Sequence, residues 1–100
     1  MLEVSAQQGA IEELCARFGV ESLYLFGSAV RDALTDESDL DFLVEFDNPV
    51  VKGYFDRYFG LLEGLEALFG RSVDLVVEST IRNPYFRQSV EQSKVLLYAA

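Results

Sequence analysis

Leu23-Tyr24-Leu25-Phe26-Gly27-Ser28 and, with ten residues between, Asp39-Leu40-Asp41-Phe42-Leu43-Val44-Glu45-Phe46 are the two stretches that decide the fold of this chain. The first closes a strand read from Val20 to Phe26 on a glycine–hydroxyl turn. The second alternates cleanly. Leu40, Phe42, Val44 and Phe46 share one face, and Asp39, Asp41, Leu43 and Glu45 share the other, because successive side chains on a strand point to opposite sides. Two aspartates two residues apart therefore project together. Their like charges raise each other's pKa, and a protein usually offsets such a pair with a cation. A donor set made only of oxygen favours Mg²⁺ or Mn²⁺ over Zn²⁺.

Working outward, the remaining chain supplies helices and one more strand. Residues 6–18 read as an amphipathic helix through Ile11, Leu14, Cys15 and Phe18, stopped by Gly19. Ser28 suits the cap of a short helix over 29–34, followed by a polar loop to 38. Asp47-Asn48-Pro49 breaks the second strand. A long helix from about 51 to 69 carries the stripe Phe55, Tyr58, Phe59, Leu62, Leu65, Leu68 and Phe69, and Gly70 ends it. Its glycines Gly53, Gly60 and Gly64 each weaken a helix by up to about 1 kcal/mol, which close packing on a sheet would justify. Residues 72–77 form a third strand, with Val73, Leu75 and Val77 on one face and Asp74 and Val76 on the other. Asn83-Pro84 opens a last helix, with Phe86, Val90 and Lys94 at helical spacing, and Val95 to Tyr98 reads as a short edge strand. The predicted class is α/β (α+β), a small mixed sheet flanked by helices. At 100 residues, half of them hydrophobic, the chain is read as one domain over 1–100 with a small core.

Composition narrows the chemistry. The net charge of −9 disfavours direct binding to duplex nucleic acid and suits metal ions or a basic partner. With no histidine and one cysteine, Cys15, there is neither an intramolecular disulfide nor a Cys/His zinc site, and catalysis falls to carboxylates and metal. Cys15 reads as a small core hydrophobe. No signal peptide or membrane-length apolar run is visible, which leaves the cytoplasm as the expected compartment.

Asp74 lies inside an otherwise apolar strand, where an acid needs a partner or a role: a salt bridge to Arg71 or Arg82, or a place in the same metal site. Gly27 lets backbone approach a phosphate, and Ser28 with the following N–H groups can donate to its oxygens. Arg31 falls one helical turn after Ser28 and could reach the same anion or pair with a neighbouring acid. Glu45 is read as facing water.

Leu25-Phe26-Gly27-Ser28-Ala29-Val30-Arg31 followed by Ser38-Asp39-Leu40-Asp41-Phe42-Leu43-Val44, with Asp74 later, resembles the signature of the DNA polymerase β-like nucleotidyltransferases, and the small size resembles their minimal (MNT) branch. It departs from many relatives at Asp32, where glycine is common, and at Ala29, where a bulky or basic residue is common. The resemblance implies the polymerase β-like fold and an Mg²⁺-dependent transfer of AMP from ATP to a hydroxyl. Gly27 and Ser28 would hold the β- and γ-phosphates, Asp39 and Asp41 would bind two Mg²⁺, and Asp74 would bind the metal that activates the acceptor. Members of this branch serve as antitoxins beside a HEPN-domain toxin, whose tyrosine can receive the AMP. The competing expectation is an antitoxin that neutralises a basic ribonuclease by binding alone, and the edge strand 95–98 offers a route to self-association.

Overall fold

The computed structural model describes residues 5–27, 39–47 and 53–100. A 3-10 turn, Ser5–Gln7, leads into α1 (Gln8–Arg17), then β1 (Val20–Phe26), β2 (Leu40–Phe46), α2 (Tyr54–Phe69), β3 (Val73–Val77), a second 3-10 turn (Glu78–Thr80), α3 (Pro84–Ser93) and β4 (Val95–Ala99). The sheet order is β3-β2-β1-β4. β1 pairs antiparallel with both β2 and β4, whereas β2 and β3 run parallel, as two strands joined by a helical crossover do. The architecture is therefore the mixed α+β arrangement expected. The predicted helix 29–34 and the start of the long helix at 51–52 lie outside the described residues.

One face of the sheet holds the main core. Leu23, Leu25, Leu40, Phe42, Val44, Phe46, Leu75 and Val77 are buried there against Ile11 and Cys15 of α1 and Leu61 and Leu65 of α2. Burial of Cys15, followed by the nearby Glu12 charge, pushes its thiol pKa up to about 12, so it behaves as the inert core residue expected. The two helices touch closely. A Cβ on Gly60 would run into the Phe18 ring, and one on Gly64 would come within 2.6 Å of Leu14 Cδ2. The α2 glycines thus admit α1, not the sheet as the sequence suggested. The α2 stripe is also rotated from its expected course. Leu61 is fully buried, while Phe55 and Phe59 are 74% and 52% exposed; Tyr54 and Tyr58 still pack against the core.

Arg57 locks the corner where α1 ends and β2 stops. Its guanidinium donates to the carbonyls of Phe18 (2.9 Å), Gly19 (2.7 Å) and Asp47 (2.8 Å) and pairs with Asp47 Oδ1 at 2.9 Å. The parallel pair is tied at its start, where Leu40 N–H donates to Ser72 O (3.0 Å) and Val73 N–H to Glu66 Oε2 (3.1 Å). At the far edge, β4 bulges at Leu97, whose carbonyl accepts from the Gln8 side chain at 2.6 Å.

The second face is only partly covered. Val90 of α3 is buried with Phe26 and Leu43, flanked by Tyr24, Val76 and Ile81. α3 begins as its sequence predicts: Asn83 Oδ1 accepts from the N–H groups of Tyr85 (2.9 Å) and Phe86 (3.3 Å), and Pro84 takes the first turn. Lys94 does not extend the apolar row; its ammonium lies 4.4 Å from the centroid of the Tyr24 ring and pairs with Glu91.

Candidate functional site

Directly opposed residues in a sheet share a face, and the strand register uses this to build the site. Asp41 is the register partner of Asp74 across the parallel pair and of Phe26 across the antiparallel pair. Asp74, Asp41 and Phe26 therefore form one row over three strands, on the face opposite the main core. Asp39 precedes Asp41 by two residues at the exposed mouth of β2. Asp74, distant in sequence, is thus brought beside Asp41, with Asp39 two residues away, at one end of the sheet.

Their electrostatics agree with that placement. Burial, then the charge of Asp74, then that of Asp39, holds the Asp41 carboxyl above its ordinary pKa. Tyr58, whose hydroxyl donates to Leu75 O at 2.6 Å, is likewise raised by burial first and then by the Asp74 charge and Tyr54. Asp74 itself is exposed on an edge strand. The expectation of an acid in a buried strand fails because the apolar run serves two different partners: Leu75 and Val77 face the main core, and Val76 packs beside Val90. Among the described residues, no ion pair engages Asp39, Asp41 or Asp74.

Gly27 adjoins this row. Its φ of +79° is costly for any residue with a side chain. A Cβ there would also collide with the Asp41 carboxylate. The glycine turn and the central acid are in direct contact, so an anion at one would lie beside a cation at the other. The Gly27 N–H donates to Ser93 Oγ at 3.4 Å, and that hydroxyl donates to Ser89 O at 3.1 Å. Ser93 gave no signal in the sequence, because only the tertiary docking of α3 brings it here. Ser28 and Arg31 lie outside the described residues.

The donor set is hard and anionic, which fits Mg²⁺ or Mn²⁺. Among the described residues no three Asp, Glu, His or Cys side chains stand close enough to form a ready cation cage; to hold an ion, the aspartates would have to turn toward it from their backbone row. Glu45 stays apart. It is half-buried, and its carboxyl is raised by burial and then by Glu78 and Glu21, against the opposing pull of the Ser79 backbone N–H. A groove of about 340 Å³ between α1 and α2, lined by Ala10, Leu14, Gly64 and Leu68 among others, belongs to the helical layer on the other side of the sheet.

Comparison with known proteins addresses the family and the fold. The family model described as a nucleotidyltransferase domain matches residues 8–97. Protein adenylyltransferase MntA of Thermococcus cleftensis is 41% identical over 73 residues, 72% of this chain and 70% of the relative. A solved structure described as a provisional minimal nucleotidyltransferase superposes with a TM-score of 0.75 at 33% identity, covering 92% of this chain and 90% of that one. A chain from the structure of a tri-AMPylated Shewanella oneidensis HEPN toxin in complex with MNT antitoxin shares the fold, with a TM-score of 0.67 at 19% identity over 98% of this chain and 74% of that one. The match across nearly the whole chain, on a fold that aligns a glycine turn with a row of acids, shows that this protein belongs to the nucleotidyltransferase domain family and has the minimal nucleotidyltransferase architecture.

Proposed function

We propose that this chain, as a single nucleotidyltransferase domain over 1–100, moves AMP from ATP onto a hydroxyl, a tyrosine of a HEPN toxin, and so acts as the antitoxin of the pair. The observation that carries this reading is the contact between Gly27 and Asp41 within the row Asp74–Asp41–Phe26. Phosphoryl chemistry asks the protein for position and charge more than for covalent work, and this arrangement offers both. Asp39 and Asp41 would hold two Mg²⁺, with Asp74 a ligand on the acceptor's side, where its exposure leaves room for an incoming hydroxyl. When bound, the ions would supply charge neutralisation at the entering and leaving oxygens. Gly27, Ser28 and Arg31 would orient the triphosphate so that pyrophosphate leaves in line with the attack.

The name of the Thermococcus cleftensis relative and the AMPylated toxin in the Shewanella oneidensis structure support the donor and acceptor. A reaction drawing on ATP and Mg²⁺ would suit the cytoplasm; no helix among the described residues is long and apolar enough to cross a membrane.

The test uses the purified protein, its HEPN partner, Mg²⁺ and ATP labelled at the α-phosphate. Label is expected on the partner and is expected to vanish with Asp39→Asn/Asp41→Asn while the complex still forms. Undiminished labelling by that variant overturns the reading. No label from the native protein, with the toxin still silenced, favours neutralisation by binding alone, for which the charge of −9 is suited.

A further inference from the structure

Phe86 is an aromatic side chain on the acidic face that the core only partly uses. Val90, one turn later on α3, is buried at 2% and already closes the contact with Phe26 and Leu43. Phe86 instead meets the Phe26 ring at 6.0 Å between centroids and 73° between planes, and stays 40% exposed. Phe26 is the register partner of Asp41. Phe86 therefore packs on the neighbour of Asp41 in the acidic row, and Gly27 follows Phe26 directly in the chain.

The backbone that carries the ring is fixed. The backbone N–H of Phe86 donates to Asn83 Oδ1 at 3.3 Å. The start of α3 is pinned by Arg87, which donates to Glu78 O (3.2 Å) and Ile81 O (3.3 Å). A half-exposed aromatic on an anchored helix start, near the proposed phosphate and metal site, is what a base needs for stacking, because every base presents a π-face.

We propose that Phe86 is the stacking platform for the nucleobase of the bound nucleoside triphosphate. This rests on the nucleotidyltransferase reading above. Stacking of this kind adds affinity with little choice among bases.

The experiment titrates the protein with ATP and, separately, with inorganic tripolyphosphate, both with Mg²⁺, by calorimetry. Phe86→Ala is expected to weaken ATP binding about tenfold and to leave tripolyphosphate binding unchanged. Phe86→Trp is expected to restore it. Phe86→Leu, which keeps apolar bulk against Phe26, is expected to keep the native circular dichroism and still lose the ATP preference. Equal weakening of both ligands, ATP binding by Phe86→Leu at the native level, or intact ATP binding by Phe86→Ala with weaker capture of a protein acceptor would each overturn the proposal. Failure of the native protein to bind either ligand would instead overturn the nucleotidyltransferase reading together with it.

Discussion

The two faces of the sheet are built to different ends. One is sealed by α1 and α2, with glycines that let the helices meet and an arginine that clamps their corner. The other is half covered by α3, and its open end carries three acids and a positive-φ glycine. Apolar packing holds the strands in register, and the register places like charges side by side that would separate if the strands were free. Stability is concentrated on one face and, on the function proposed above, reactivity on the other, so substitutions should sort by face.

The largest effect is expected from Asp39→Asn/Asp41→Asn, a loss of transfer of at least about a hundredfold with the melting temperature unchanged or raised, since repulsion at Asp41 is relieved; calorimetry beside the labelling assay reads both. Phe42→Ala, on the sealed face, is expected to cost about 3–5 kcal/mol, enough to threaten a domain this small, and denaturant unfolding measures it. Gly60→Ala is expected to destabilise by about 1–3 kcal/mol because a methyl meets the Phe18 ring, even though alanine is the better helix former. A more stable Gly60→Ala would show that the two helices have slack.

The smallest effect belongs to Glu45. Its folded-state pKa lies above the unfolded value, so the folded protein carries no penalty below the usual Glu range near about 4.3 and loses stability as pH rises through the raised value. Glu45→Gln is expected to raise the melting temperature by about 1–3 °C at neutral pH, with no gain below that range. A gain that persists in acid would assign the effect to packing.

Much of this was legible in the sequence because its signals are local. Strict alternation from Asp39 to Phe46 gave the strand and both its faces, and Asn83-Pro84 gave the start of α3. The strand partners were not legible. That Asp74 lies on an edge strand follows from the order β3-β2-β1-β4, which no local pattern encodes. The exposure of Phe55 and Phe59 escaped for a related reason. Apolar periodicity marks a stripe, but the neighbouring helix decides how that stripe is turned, and here Gly60 and Gly64 face α1. Asp39, Asp41 and Gly27 were singled out from spacing, and the sheet brings Gly27 against Asp41, whereas Phe86 was read as part of an ordinary helical row.

The pairing of Asp41 with Asp74 in the parallel ladder also bears on how the sequence can change. Side chains repeat every two residues, so deleting or inserting one residue within β3 would turn Asp74 away from Asp41 and, in the same stroke, lift Leu75 and Val77 out of the core. A chain with such an indel would unfold before it could persist as a folded but miswired protein. Point substitution is then the open route by which a descendant could shed the acids and keep the shape.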